Sequence, residues 1–169
     1  TAPSEGHGFQ LHVGPMRSES RGYVRIQSSN PLQAPTIKFN YMSHESDFPN
    51  FRKALRLSRE ILNQKALEPF KGPEIQPGEE VTSDEGLDEF IKNNCESAYH
   101  PCGTCKIGQK EDPTTVVENN CKVKGVSNLY LADSSIFPRI TNGNLNAPSI
   151  MTGEKASDCL LYTSPSPRD

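Results

Sequence analysis

One short apolar run, Asn128-Leu-Tyr-Leu-Ala-Asp133, precedes the turn sequence Thr141-Asn-Gly-Asn-Leu-Asn-Ala-Pro148 and a helical stretch that reaches Leu160. An apolar run without alternation, ending in Asp, is expected of a buried, parallel strand. Such strands are covered on both faces and flanked by other strands. A lone strand-turn-helix unit cannot bury both of its faces, so this one calls for a sheet that the rest of the chain does not contain. Within the unit, Asn146 is a suitable helix cap and Pro148 occupies the permitted first turn.

The N-terminal part reads differently. Phe9-Gln-Leu-His-Val13, Gly22-Tyr-Val-Arg-Ile-Gln27 and Thr36-Ile-Lys-Phe-Asn40 alternate apolar and polar side chains, which predicts three half-buried strands in an antiparallel sheet. From Asp47 the period becomes helical, with Phe51, Leu55, Ser58 and Leu62 on one face and Ala54, Leu57 and Ile61 beside them. The charges along this helix, Arg52, Lys53, Arg56, Arg59 and Glu60, read as a solvated face. Glu68 to Gly78 is loop, with Pro69, Pro73 and Pro77. Thr82-Ser-Asp-Glu85 has the spacing of a capping box for a second helix carrying Leu87, Phe90 and Ile91. Val116 to Gly125 is polar and loop-like around Val123. The fold class is therefore α+β.

Composition sets outer limits. Hydrophobic content of 33%, 14 prolines and no tryptophan describe a loop-rich piece. The formal charge of −3 has no strong run of either sign, so a nucleic-acid partner has no support. No apolar stretch approaches the roughly 18 residues that span a bilayer. Five cysteines, at 95, 102, 105, 121 and 159, suit reduced thiols better than a disulfide framework. Thr1 is no start methionine, and the expectation is that a larger protein has been cut here.

Two segments carry chemistry. Tyr99-His-Pro-Cys-Gly-Thr-Cys-Lys-Ile-Gly108 places His100 on a Gly/Pro-constrained stretch where a ring can be held still. A histidine side chain changes protonation near neutral pH and can take a hydroxyl proton or stabilise an alkoxide. His7, His12 and His44 read as surface residues. Asn144 sits on the tight turn ahead of the last helix. Its amide can hydrogen-bond a substrate oxygen without competing as a base, and an asparagine also suits a left-handed turn there. Asp133 fits a strand-end turn. Cys102 and Cys105 form a C-x-x-C, readable as part of a zinc site, as a redox couple or as inert packed thiols. A zinc site would need a second pair, and Cys95 and Cys121 are singletons.

His100-Pro-Cys-Gly-Thr-Cys-Lys-Ile-Gly108, Gly125-Val-Ser-Asn-Leu-Tyr-Leu-Ala-Asp-Ser-Ser-Ile-Phe-Pro138 and Gly143-Asn-Leu-Asn-Ala-Pro-Ser-Ile-Met-Thr-Gly-Glu-Lys155 resemble the C-terminal part of the glucose–methanol–choline (GMC) oxidoreductases. Gly14-Pro-Met-Arg-Ser-Glu-Ser-Arg-Gly22, Asn40-Tyr-Met-Ser and Asp47 resemble the same family's substrate-binding domain. The likeness covers about Thr1 to Asp158. Within the family, the choline-oxidising members are the most similar. It implies oxidation of a small alcohol such as choline to its aldehyde, with flavin adenine dinucleotide (FAD) taking the hydride and a separate electron acceptor reoxidising it.

By the same resemblance, His100 and Asn144 (ten residues before Glu154) match the two catalytic positions. Ala132, Asp133, Asn144, Asn146 and Ala147 match cofactor contacts, with no metal. The dinucleotide-binding βαβ unit and its Gly-x-Gly-x-x-Gly are missing. The piece alone is thus expected to be inactive and to need an N-terminal FAD domain of its own chain as partner. The implied division is 1–98 as substrate-binding domain, 99–158 as active-site segment plus the closing β-turn-α of a Rossmann-like FAD domain, and 159–169 as a disordered or non-native tail resembling a cloning scar. The implied location is mitochondrial, inner-membrane-associated, in a eukaryote, and membrane-associated or cytoplasmic in a bacterium. A related alcohol dehydrogenase or oxidase, or a non-catalytic cysteine-based metal-binding or interaction module, are the alternatives.

Overall fold

The change of period at Asp47 is realised as helix α1 (Asp47–Leu62), and a second helix, α2, follows at Asp84–Asn94. These belong to the first of two units into which the computed structural model divides. It contains the residues up to Gly22 together with Phe39–Glu96, and the second contains Tyr23–Lys38 and the residues from Ser97 onward. The structure describes residues 6–163.

On α1, Phe51, Leu55 and Leu62 are half-buried and Ser58 is buried, as the spacing predicts. The flanking Leu57 and Ile61 remain exposed. Ser58 satisfies its hydroxyl on the Ala54 carbonyl at 2.8 Å, so it enters the interior without an orphaned donor. Leu87 and Ile91 of α2 are fully enclosed and Phe90 is half-buried. The cap of α2 is Ser83 rather than Thr82: its hydroxyl accepts the Gly86 N–H at 3.1 Å. With Ser83 as cap, Asp84 and Glu85 both fall in the first turn, where the helix dipole favours them, and the N3 position is a glycine that closes no box.

Of the arginines of α1, Arg56 is exposed as expected, while Arg52 and Arg59 are half-buried and paired. Arg52 Nη1 donates to both Asp88 oxygens at 2.7 and 2.8 Å, and Arg56 donates to Asp84 at 2.5 Å. Arg59 grips Glu74 with two prongs, Nε at 2.9 Å and Nη2 at 2.8 Å. It also donates to the carbonyls of Val81 and Gly78, both at 2.8 Å. Arg59 therefore ties the proline-rich loop back onto its helix, using the fork geometry that suits carboxylates. Lys53, Arg56 and Glu60 keep the exposed role.

Asp47, 1% exposed, accepts from the hydroxyls of Ser18 (2.8 Å) and Ser20. Ser20 Oγ in turn accepts the N–H groups of Ser43 and His44, and Asn40 donates to the Arg21 carbonyl and to Ser43. The family-like residues of this unit thus form one polar knot at the start of α1, where a buried carboxylate gains from hydroxyl donors and the helix N-terminus. Phe9–Val13 is not a strand. Its alternation marks which face a strand would bury, but it finds no ladder partner among the described residues, and Phe9 and Leu11 stay exposed.

In the second unit, β1 (Tyr23–Arg25) and β2 (Thr36–Lys38) pair antiparallel in the register Tyr23↔Lys38, Val24↔Ile37, Arg25↔Thr36. The sheet is antiparallel as expected but has two short strands rather than three. Residues 103–107 form a strap that turns at Thr104–Cys105: the N–H groups of Gly103, Cys105 and Ile107 donate to the carbonyls of Ser134, Ser135 and Ile136 at 3.1, 2.8 and 2.8 Å. On its other edge, the Lys106 carbonyl accepts from Val116 at 2.8 Å, and the Gly108 N–H reaches the Val117 carbonyl at 3.1 Å. Val117, Ile136, Phe137 and Leu145 form the core, with Cys102, Ile107, Cys121, Val123, Leu131 and Ile140 packed on it. Val117 is wholly buried, so Val116–Gly125 is loop-like in path yet contributes the centre of the core.

Asn128–Asp133 is not a buried parallel strand. Its pairing is an isolated antiparallel bridge between Lys122 and Tyr130, and Leu129 and Tyr130 are exposed. A parallel strand needs neighbours along its edges, and the described residues supply none there. Accordingly the architecture is mixed helix with a small antiparallel sheet, and no Rossmann-like sheet is present among the described residues. The last helix, α3 (Asn146–Thr163), begins two residues before Pro148, so Asn146 is its first residue rather than its cap. It also runs past Cys159 without a break. Leu160, Leu161 and Tyr162 are compatible with a helix, and the first helix-incompatible residue, Pro165, comes later in the sequence. The rest of the tail segment, 164–169, lies outside the described residues.

Candidate active site

His100 is half-buried and lies between two conformational pins. Upstream, Tyr99 adopts φ +59°, the left-handed region, and its N–H donates to Ser97 Oγ at 3.0 Å. Downstream, Pro101 fixes its own φ and keeps His100 extended. Then comes Gly103, with φ +81°, whose backbone passes so close to the Phe137 carbonyl that a Cβ would stand 2.9 Å from that oxygen. Only glycine fits there. Among the described residues the His100 ring has no hydrogen-bond partner.

The strap, which begins three residues after His100, is bound to the turn that Asp133 caps. The Asp133 carboxylate accepts the Ser135 N–H at 2.7 Å and caps the 3-10 turn Ser134–Ile136, whose carbonyls receive the strap. This is the turn-forming role that its position suggests. Cys102, two residues from His100, and Leu145, adjacent to Asn144, pack in one hydrophobic cluster. The structure thereby brings the histidine segment and the asparagine turn onto one core. Asn144, Asn146 and Ala147 are exposed, Ala132 is half-buried, and the Ala132 carbonyl approaches α3 at Gly153. His7, His12 and His44 are exposed, as expected.

The polar groups of this region suit an acceptor-rich ligand. Asn146 and Ala147 are the first residues of α3, so their N–H groups have no intrahelical acceptor and carry the positive end of the helix dipole. The hydroxyl of Thr141, on the same turn, is buried without a partner. Thr141 and Ser97 escaped the sequence reading. Ser97 had a visible signal, a hydroxyl two residues ahead of Tyr99; Thr141 had none, since its isolation exists only in three dimensions.

All five cysteines are free thiols. Burial, and secondarily Cys159, pushes the Cys121 thiol above its ordinary value, and burial with Asp47 does the same for Cys95. Such thiols are poor nucleophiles and ligands. No group of three or more His, Cys, Asp or Glu side chains that could hold a metal ion occurs among the described residues.

This chain, with the histidine segment and the asparagine turn packed on one core, is matched by a model of an oxidoreductase family. The GMC oxidoreductase model matches residues 18–153, and the chain belongs to that family. It is 61% identical over 164 residues to an oxygen-dependent choline dehydrogenase of Brucella anthropi and 57% identical to one of Rhizobium meliloti, in each case over 97% of this chain. The chain spans about 30% of the length of these curated relatives. Among solved structures it is similar to pyridoxine 4-oxidase from Mesorbium loti, with TM-score 0.82 and 31% identity over 89% of this chain and 29% of that one. It is likewise similar to a fungal aryl-alcohol oxidase, with TM-score 0.76 and 30% identity over 87% of this chain and 24% of that one. These choline dehydrogenases are bacterial, so the mitochondrial location has no support. No helix among the described residues is long and apolar enough to cross a membrane.

Proposed function

We propose that this chain is the C-terminal part of an FAD-dependent choline dehydrogenase that oxidises choline to betaine aldehyde. The observation that carries the reading is the 61% identity to an oxygen-dependent choline dehydrogenase along 97% of the chain, histidine strap and asparagine turn included. Residues 1–98 belong to the substrate-binding domain on this reading, and 99–158 to the active-site segment and the closing unit of an FAD domain whose remainder lies in the rest of the enzyme.

His100 takes the hydroxyl proton of the alcohol, or stabilises the alkoxide, at the substrate oxygen. Asn144 donates its amide to the same oxygen and orients it. Asn146 and Ala147 at the start of α3 would hold the flavin's electron-rich edge by their N–H groups, with Ala132 and Asp133 contacting it further along. When bound, the flavin supplies the hydride acceptor that no side chain can provide. Tyr99, 84% exposed beside His100, offers an aromatic face of the kind that attracts a quaternary ammonium.

In the full-length enzyme, His100→Ala is expected to lower kcat by about two or more orders of magnitude. An unchanged kcat removes His100 from the mechanism. Pyridoxine 4-oxidase and a fungal aryl-alcohol oxidase share this fold and are named for other substrates. A second reading, a related family member acting on another alcohol, is therefore separated by a substrate panel: turnover of an aromatic alcohol in preference to choline would establish it.

A further inference from the structure

We propose that the aliphatic side of the β1–β2 hairpin is a docking surface, covered in the complete enzyme by the part of its chain N-terminal to Thr1. The inference rests on the reading of this chain as the C-terminal part of a longer enzyme. Tyr23 pairs across from Lys38, Val24 from Ile37 and Arg25 from Thr36. Directly opposed residues share a face, so the hairpin is two-sided. One side is polar: the Arg25 guanidinium lies over the Tyr23 ring at 4.6 Å, and Gln27 donates to the Thr36 hydroxyl. That contact continues the polar side past the end of β1, which leaves Ile26 with Val24 and Ile37 on the other. The second side is wholly aliphatic and bare, with Val24 47%, Ile37 56% and Ile26 89% exposed. Beyond it, Leu32 is 92% exposed on a loop held by its own turns. Its N–H donates to Asn30 Oδ1 at 3.1 Å, and the Gln33 N–H donates to the Asn30 carbonyl at 3.1 Å.

Strands that alternate apolar and polar residues bury their apolar side. A two-stranded sheet, here of three residues a strand, does not hold in water without that burial. Among the described elements, β1 and β2 pack extensively only on one another. Their cover must therefore be present whenever the enzyme is folded, and a further stretch of the same chain meets that demand. There is ample chain to provide it, since the matched residues make up 30% of the length of a curated relative. A lipid surface fits poorly, because Arg25 and Lys38 stand on the opposite side, away from headgroups that would surround the aliphatic one. A second copy fits no better: a few aliphatic side chains fall well short of the roughly 800 Å² that each partner gives to a standard interface. A seam within one chain repays no association entropy and holds at that size.

The test uses the full-length enzyme, with thiols introduced singly as Val24→Cys, Ile37→Cys and, on the polar side, Lys38→Cys. Maleimide labelling of each is followed by peptide mass. Val24→Cys and Ile37→Cys are expected to label about a hundredfold more slowly than in denaturant, and Lys38→Cys within about tenfold of its denatured rate. If the two aliphatic positions label no more slowly than Lys38→Cys, the proposal is overturned. Protection that fades on dilution would assign the surface to a second copy, and protection that needs added anionic vesicles would assign it to lipid; either result overturns the proposal. Where a cysteine variant does not fold, hydroxyl-radical footprinting of the parent enzyme reads Val24, Ile26 and Ile37 without substitution. Oxidation of these three at the rate of the denatured enzyme would equally overturn the proposal. Choline turnover, assayed on the same preparation, judges the substrate reading separately from this one.

Discussion

The closest backbone approach near the site is at Gly103, and it can be priced against a neutral comparison within the same chain. Gly103 and Gly125 both have positive φ, +81° and +72°. A Cβ added at Gly125 meets nothing within 4 Å, whereas at Gly103 it stands 2.9 Å from the Phe137 carbonyl oxygen. Gly125→Ala therefore pays the left-handed backbone cost of about 1–2 kcal/mol and recovers about 0.4–1 from a stiffer unfolded chain. Its net loss is roughly 1 kcal/mol. Gly103→Ala pays the same and must also open about 0.5 Å to reach ordinary contact. Both sides of that contact are backbone, so the strap itself has to move, at the expense of the bond from the Gly103 N–H to Ser134 at 3.1 Å. That bond and the residual crowding add roughly 1–2 kcal/mol, for a total of about 2–3 kcal/mol. At about 2–4 °C per kcal/mol for a domain of this size, thermal melts of the full-length protein should separate the two variants by several degrees. Gly103→Ala should also lose activity, because the strap carries His100, while Gly125→Ala should keep it. Equal melting shifts for the two alanines would refute the reasoning, since the carbonyl contact is the difference between them.

Two further outcomes follow from charged groups in the two units. Arg59→Met keeps the bulk of the side chain but abandons Glu74 and the carbonyls of Val81 and Gly78, so a loss of about 2–3 kcal/mol is expected for this partly buried pair, with early proteolysis in Lys71–Val81; cleavage elsewhere first would count against the clamp. The hydrogen bond from Arg56 holds the Asp84 carboxyl below its usual range, and bonds from Thr114 hold Asp112 there. A carboxyl depressed in the folded state stabilises it above its unfolded pKa of about 3.9 and loses that contribution as pH falls through the folded value. Denaturation midpoints should therefore be flat from pH 7 to pH 5 with respect to these groups and fall below about pH 4, less steeply in Asp84→Asn; a midpoint that rises on acidification would contradict the assignment.

The readable parts of this chain are those governed by local periodicity. Phe51, Leu55, Ser58 and Leu62 announced the buried face of α1 because a 3.6-residue repeat is a property of the segment itself. The partners of Arg52, Arg56 and Arg59 lie 15 to 36 residues away, and an exposed charge and a clamped one look alike in one dimension. The same limit explains Phe9–Val13 and Asn128–Asp133. Alternation and apolarity state what a strand would bury, while forming one depends on neighbours that the described residues do not provide. Val117 shows the converse: a valine in a polar stretch became the centre of a core because strap, turn and Leu145 converge on it. At the site, residue types and spacing located His100 and Asn144. The left-handed turn at Tyr99 and the isolated hydroxyl of Thr141 had to be seen.

The two-edged hydrogen bonding of the strap has a consequence for how this region can vary in length. Gly103, Cys105 and Ile107 alternate in their bonds to residues 134–136, while the Lys106 carbonyl faces the opposite neighbour. One residue inserted or deleted between Pro101 and Ile107 would break these paired bonds, shift Ile107 from its place on the core and displace His100 with it. The turn at Gln109–Thr114 is tied down as well: the Lys124 ammonium donates to the carbonyls of Gln109 and Asp112 at 2.9 and 2.8 Å, and the Thr115 hydroxyl donates to the same two carbonyls. Natural or engineered diversity should therefore enter this region as substitutions rather than as changes of length.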